Sequence, residues 1–189
     1  MSRPLAGLVA ACLLACPPLP SHGQPPSVTP IRAEVLVKLA AHQRQLNWGA
    51  ADSLRILVIG PHDDAAALAA QIAAQAERIP LPRPLAVHSA GGRDSLAWSR
   101  SRRHALVLTP GSRPDLAALQ SFCRRTQTLA IATEAVQFGS GVMAAVLERP
   151  DDSARIAIHP EALAEAGIAF PADLLQLVRF ADSAGDRSP

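Results

Sequence analysis

Tyrosine is missing from this sequence, and aromatic residues make up 3% of its 189 residues. The core must therefore be built from alanine, leucine, valine and isoleucine. Lysine is nearly missing too: Lys38 stands against seventeen arginines, with acids and bases interspersed and a net charge of +2. The sequence shows no basic stripe of the kind that phosphate-backbone binding needs, so nucleic acid is not an expected partner. The densest basic patch, Arg100-Ser101-Arg102-Arg103, reads as the solvated approach to a strand. Cysteine is scarce. Cys12 and Cys16 fall near the start, which leaves Cys123 alone in the folded part and excludes an internal disulfide there. In "LAALQSFCRR" it accompanies Leu116, Leu119 and Phe122 and reads as a core thiol, with an intermolecular disulfide as the runner-up. Long hydrophobic runs are lacking as well. The run from Leu5 to Ala15 is shorter than the roughly 20 residues that span a bilayer, and later runs are broken by charge or proline.

What is present begins with an export pattern. Arg3, the apolar run and then Pro17, Pro18 and Pro20 follow the grammar of a secretory signal, here residues 1–23. Two endings compete: cleavage after Ser21-His22-Gly23, or a lipobox, Leu13-Leu14-Ala15-Cys16, that makes Cys16 a lipidated residue. Residues 24–29 read as a flexible linker, 30–182 as one domain and 183–189 as a disordered tail. With 49% of residues apolar, the chain can bury a real core.

Apolar residues at Ile31, Val35, Leu39 and Leu46 have helical spacing, which predicts a helix from Pro30 to about Leu46. "LRILVIG" is a buried strand and "AAALAAQIAAQAERI" a helix; "RPLAVHSA" and "HALVLTP" are further strands. "GSRPDLAALQSFCRRT" is a helix with Ser112 in an N-cap position and Asp115 three residues on. "TLAIAT" is a fourth strand. "GVMAAVLER" and "ARIAIHP", joined by Pro150-Asp151-Asp152-Ser153, read as an antiparallel hairpin. "PEALAEAG" is a short helix, and "FPADLLQLVRFAD" a final one. The expected fold is α/β: a single-domain three-layer sandwich with a largely parallel sheet, an antiparallel C-terminal hairpin and a C-terminal helix.

Chemistry is best sought after the first strand, where open α/β sheets bind ligands. Strand–Gly-Pro-His-Asp-Asp–helix resembles the motif of zinc-dependent N-acetylglucosamine deacetylases, which would make His62, Asp63 and Asp64 a metal-dependent hydrolase site. The motif's proline between histidine and aspartate and its closing glutamate are missing here, and no His-x-x-His supplies a further ligand. The competing expectation is that Asp63 or Asp64 caps the alanine-rich helix. A Gly-x-Gly-x-x-Gly and a P-loop lysine are absent, Gly139-Ser140-Gly141 and Ala90 to Asp94 read as turns, and His88, His104 and His159 read as structural histidines. No catalytic residue, metal ligand or cofactor is therefore assigned.

The tail carries a resemblance. Phe138, Ser140-Gly141-Val142-Met143, Val146-Leu147-Glu148, Arg155 to His159, Ala162 to Gly167-Ile168 and Leu174-Leu175-Gln176-Leu177-Val178 resemble, in order, the YfiR family's pattern. "IRAEVLVKLAAHQRQLNW" looks like its opening helix, and the likeness extends over residues 30–182. Phe138, Gly141, Glu148, Gly167, Leu174 and Leu175 are the residues that carry it, in structural roles. The chain departs at Ser140, where the family has glycine, at His159, where it has asparagine, and after Trp48, where it has proline. The resemblance implies a non-enzymatic periplasmic regulator that binds the periplasmic sensor domain of an inner-membrane diguanylate cyclase and inhibits it, lowering cyclic-di-GMP. An outer-membrane lipoprotein is the implied sequestering partner, and a homodimer is left open. The alternative is a periplasmic binding module of the same fold serving another sensor or transporter.

Overall fold

A computed structural model describes residues 30–43, 52–91, 103–138, 142–149, 153–176 and 179–180. The signal and lipobox with Cys16, the linker, Trp48, Arg100 to Arg102, Gly139 to Gly141 and the 183–189 tail lie outside the described residues.

Short aliphatic runs become strands because a pleated segment buried on both faces needs no polar alternation. β1 (Leu54–Gly60), β3 (Ala105–Leu108) and β4 (Leu129–Ala132) are buried almost throughout. β2 (Leu85–Gly91), β5 (Ala144–Glu148), β6 (Ala154–Ile158) and β7 (Arg179–Phe180) complete one seven-stranded sheet in the order β2-β1-β3-β4-β5-β6-β7. Strands β1 to β5 run parallel, β5 and β6 form the antiparallel hairpin, and β7 lies parallel to β6. Arg149 closes the hairpin turn with its N–H on the carbonyl of Ser153, 2.9 Å.

The helices are α1 (Pro30–Ala41), α2 (His62–Ala76), α3 (Leu116–Thr126), α4 (Ala135–Phe138), α5 (Pro160–Glu165) and α6 (Ala172–Gln176). The chain leaves β1 toward one edge of the sheet and β3 toward the other. Right-handed crossovers then place α2 and α3 on opposite faces. α1 packs beside α2, and α5 is tied to α3 through Gln120, Arg124 and Glu165. Three layers result, with Leu36, Leu39, Leu68, Ile72, Leu106, Leu119 and Ile131 fully buried between them. Each such side chain contributes about 1.5–3 kcal/mol of burial, which is how a core almost without aromatics holds.

Several boundaries differ from the sequence reading. α2 begins at His62, so the stretch expected to precede the helix is its first turn. α1 ends at Ala41, short of the expected Leu46. α4 was not expected. The final helix is five residues long, and Arg179–Phe180 is extended and extends the sheet instead.

Candidate functional site

The order β2-β1-β3-β4-β5 reverses direction between β1 and β3, and the carboxyl ends of those strands are where such sheets hold ligands. Here that crevice is filled by the chain itself. Thr109 follows β3, donates its N–H to the Ile59 carbonyl at 2.9 Å and sets its hydroxyl 3.3 Å from the same oxygen. A Cβ built on Gly60 would lie 1.6 Å from Thr109 Oγ1, so only glycine fits at the end of β1. Ser112 Oγ donates to the Thr109 carbonyl at 2.8 Å. From α4, the buried amide of Gln137 donates to Thr109 O (3.0 Å), Ser112 Oγ (2.8 Å) and Ser112 O (3.3 Å). Glu134 accepts the Gly111 N–H at 3.3 Å, and Gly111 holds φ +74°, which glycine adopts without strain. Among the described residues a hydrogen-bond network that ends on the Glu134 carboxylate thus spans these strand ends.

His62, Asp63 and Asp64 stand at the rim of this crevice as consecutive residues of the first turn of α2. Successive helical residues point about 100° apart, so the three do not converge. Among the described residues no group of three His, Cys, Asp or Glu side chains could hold a metal ion. The capping expectation also needs correction. Pro61 is the N-cap of α2 and no side chain bonds to the first turn. Asp63 and Asp64 act on the helix through their charge near its positive end, worth a few tenths of a kcal/mol. Ser112 does not cap α3 either. Asp115 does, accepting the Ala118 N–H at 3.1 Å, because Ser112 is already engaged with Thr109 and Gln137.

The three histidines expected to be structural sort as follows. His104 is buried and its Nδ1 accepts the Arg55 N–H at 2.9 Å, replacing a backbone partner at the start of β3. His159 caps α5, accepting from Ala162 N–H at 3.4 Å, and its ring meets Phe138 edge-on at 6.4 Å. His88 is exposed on β2. Cys123 is fully buried on α3, and burial pushes its thiol up to about 12, so the folded chain offers it to no intermolecular disulfide.

Of the residues expected to carry the family pattern, Gly141 lies outside the described residues. Phe138 ends α4 against His159. Gly167 ends α5 with φ +65°. Its N–H bonds to Ala164 O and that of Ile168 to Leu163 O, the paired hydrogen bonds of a left-handed helix cap. Leu174 and Leu175 of α6 pack on the core. Glu148, the last residue of β5, pairs with Arg32 of α1 at 3.0 Å. Arg32 is 6% exposed. Burial lowers the pKa of its guanidinium and the Glu148 charge raises it again. Sequence reasoning missed Arg32, Thr109 and Gln137. Arg32 had a usable signal, a charge among the inward positions of an apolar helix; Gln137 had none.

Among the described residues, grooves lie outside the crevice. One, of about 360 Å³, runs between α3 and α5 and is lined by Leu116, Gln120, His159 and Glu161 among others. The second, of about 500 Å³, lies at the end of α2 around Ile79, Leu81, Arg83 and Leu85. Neither brings a nucleophile and a base together among the described residues, and no described helix is long and apolar enough to cross a membrane.

The fold is shared with solved structures. An ABC domain from Streptococcus pneumonia in complex with L-Trp is 13% identical, with a TM-score of 0.56, over 79% of this chain and 60% of that one. A conserved domain protein from Vibrio cholerae is 12% identical, with a TM-score of 0.55, over 78% and 59%. The chain thus spans about three fifths of the length of these structures. No curated protein matches it. The sequence matches the YfiR/HmsC-like model over residues 29–179, from the start of α1 into β7. The chain belongs to the YfiR/HmsC-like family.

Proposed function

We propose that the chain is a periplasmic, non-enzymatic regulator that binds the sensor domain of an inner-membrane diguanylate cyclase and holds the cyclase off. The observation that carries this reading is the family match along nearly the whole folded part. The filled crevice at β1 and β3 agrees with it, since a protein that acts by surface needs no open site there. The mechanism is a population shift. A regulator that binds the inactive sensor better than the active one lowers output by that difference in affinity, and about 1.4 kcal/mol of difference is tenfold. The test is intracellular cyclic-di-GMP in the native host with and without the gene. Deletion raises it and re-expression restores it; an unchanged level, with the protein expressed and exported, overturns the reading.

A second reading is a binding module of this fold serving another sensor or transporter. The L-Trp complex of the Streptococcus ABC domain shows one protein of similar fold taking a small ligand. Calorimetry with amino acids on the purified protein distinguishes the two readings: heat of binding favours the module, and its absence the regulator.

A further inference from the structure

Arginines are scattered through the sequence, but the fold gathers several of them. Strands β1 to β4 run parallel, so their starts lie at one end of the sheet, and α2 and α3 run back from the other end to reach it. Arg55 stands at the start of β1, Arg83 just before β2 and Arg103 just before β3. Arg78 follows α2, and Arg124 and Arg125 lie in the last turn of α3. Arg78, Arg83, Arg124 and Arg125 are exposed. Arg103 is half-buried; burial and the Arg55 charge lower its pKa, and its Nε has no partner among the described residues. Asp52 and Glu77 stand at the same end and Glu165 pairs with Arg124 at 3.5 Å, so arginine remains in excess there. The carboxyl ends of β1 and β3 carry the opposite balance, with Asp63, Asp64, Asp115 and Glu134 against Arg113.

Between Arg78 and Arg83 the chain reads Ile79-Pro80-Leu81-Pro82. Ile79 and Leu81 are half-buried, Pro80 and Pro82 are exposed, and all but Pro80 line the groove of about 500 Å³. The N–H groups of Arg78 and Ile79 are spent on Gln75 O (3.0 Å) and Ala76 O (3.4 Å), and Pro80, Pro82 and Pro84 have none. A loop poor in free N–H groups loses little when water is withdrawn from it. An apolar loop flanked by arginines has the composition of a surface that lies on a lipid interface. We propose that this end of the molecule rests on an anionic phospholipid surface, with the arginines at headgroup level and the 79–82 loop in the interface. Such a surface presents many phosphates in one plane, which suits arginines that separate elements bring to one end of the sheet. Each guanidinium near it strengthens binding roughly fivefold, and salt weakens the attraction. The lipid contact does not depend on the regulatory reading.

The test is co-sedimentation of the full chain, purified after export, with vesicles of phosphatidylcholine alone or of phosphatidylcholine mixed with phosphatidylglycerol. The proteins compared are the parent, Arg78→Gln/Arg83→Gln, Arg125→Gln and Arg155→Gln. Arg155 is exposed on β6 beside the hairpin turn, at the other end of the sheet, so its variant changes net charge and leaves the patch alone. Arg125→Gln, on a separate element, covers a failure of the double variant to fold. The parent is expected to bind the anionic vesicles, less so as salt is raised, and not the neutral ones. The double variant should lower the partition coefficient roughly tenfold or more, Arg125→Gln roughly fivefold and Arg155→Gln less than about twofold, with unchanged circular dichroism. Equal binding to both kinds of vesicle overturns the proposal, because a lipid anchor or an apolar segment would then hold the protein. So does an Arg155 variant weakened as much as the others, which would make net charge the cause. Binding to dissolved heparin but to no vesicle overturns it too, since the patch would then be a site for a soluble polyanion, and so does a parent that binds neither.

Discussion

Helices α2 and α3 each follow a parallel strand at the point where the sheet reverses direction, and each begins beside an aspartate. Their junctions are nonetheless built in opposite ways. Between β1 and α2 stands a single residue, Pro61, which serves as the N-cap and offers no side-chain acceptor. Between β3 and α3 stand Thr109 to Asp115, long enough to fold back over the strand ends, fill the crevice and still deliver Asp115 as the cap. A short junction leaves Asp63 exposed and Asp64 half-buried, looking available for chemistry. A long junction hides its polar residues in structural work. The sequence motif that most resembles a site thus belongs to the junction with no room to build one.

The comparison can be broken most forcefully at Gly60. Gly60→Ala drives a methyl into Thr109 and should cost about 3 kcal/mol in a urea titration. Gly60→Ala combined with Thr109→Gly should lose less than the two single changes added together, since the clash is between these two residues. Gln137→Ala, which leaves Thr109 and Ser112 without their amide donor, should cost about 2 kcal/mol, with faster amide exchange at Ser112 but not in α2. Capping separates the junctions more finely. Asp115→Ala should cost about 1 kcal/mol and fray α3. His62→Ala/Asp63→Ala should cost only a few tenths of a kcal/mol at the uncapped helix, with zinc content the same in variant and parent. A loss above about 2 kcal/mol there, together with loss of bound zinc, would put the hydrolase reading first.

The central strands β1, β3 and β4 were legible because each is a short aliphatic run buried on both faces, and β1 has the bounds read from "LRILVIG". Helix starts were less so. Ser112 and Asp115 satisfy the same local capping rule, and what decides between them is Gln137, distant in sequence and on a four-residue helix that no periodicity reveals. Pro114 was a usable hint, because the residue before a proline avoids helical geometry and the helix must then start later. "LLQLVRF" carries apolar residues that suit a helix and a strand alike, and only the free edge of β6 shows why its end turns extended. The family was legible in the sequence, but not what Glu148 does. Its partner Arg32 lies at the other end of the domain's sequence.

That separation has a consequence for how the chain comes to its final shape. α1 is the first element of the domain, yet it rests on strands from its far end, and its buried guanidinium finds its carboxylate on β5. A chain delivered from its N-terminus onward would present α1 first and leave it waiting for nearly the last strand. Until then Arg32 stays solvated, because burying it alone would cost several kcal/mol. Docking of α1 becomes a late, long-range event that follows the assembly of the sheet, slow in proportion to the loop it must close. During that interval the apolar face of α1 is open to whatever escorts the chain, and the closing of one ion pair reports that the sheet has been built as far as β5.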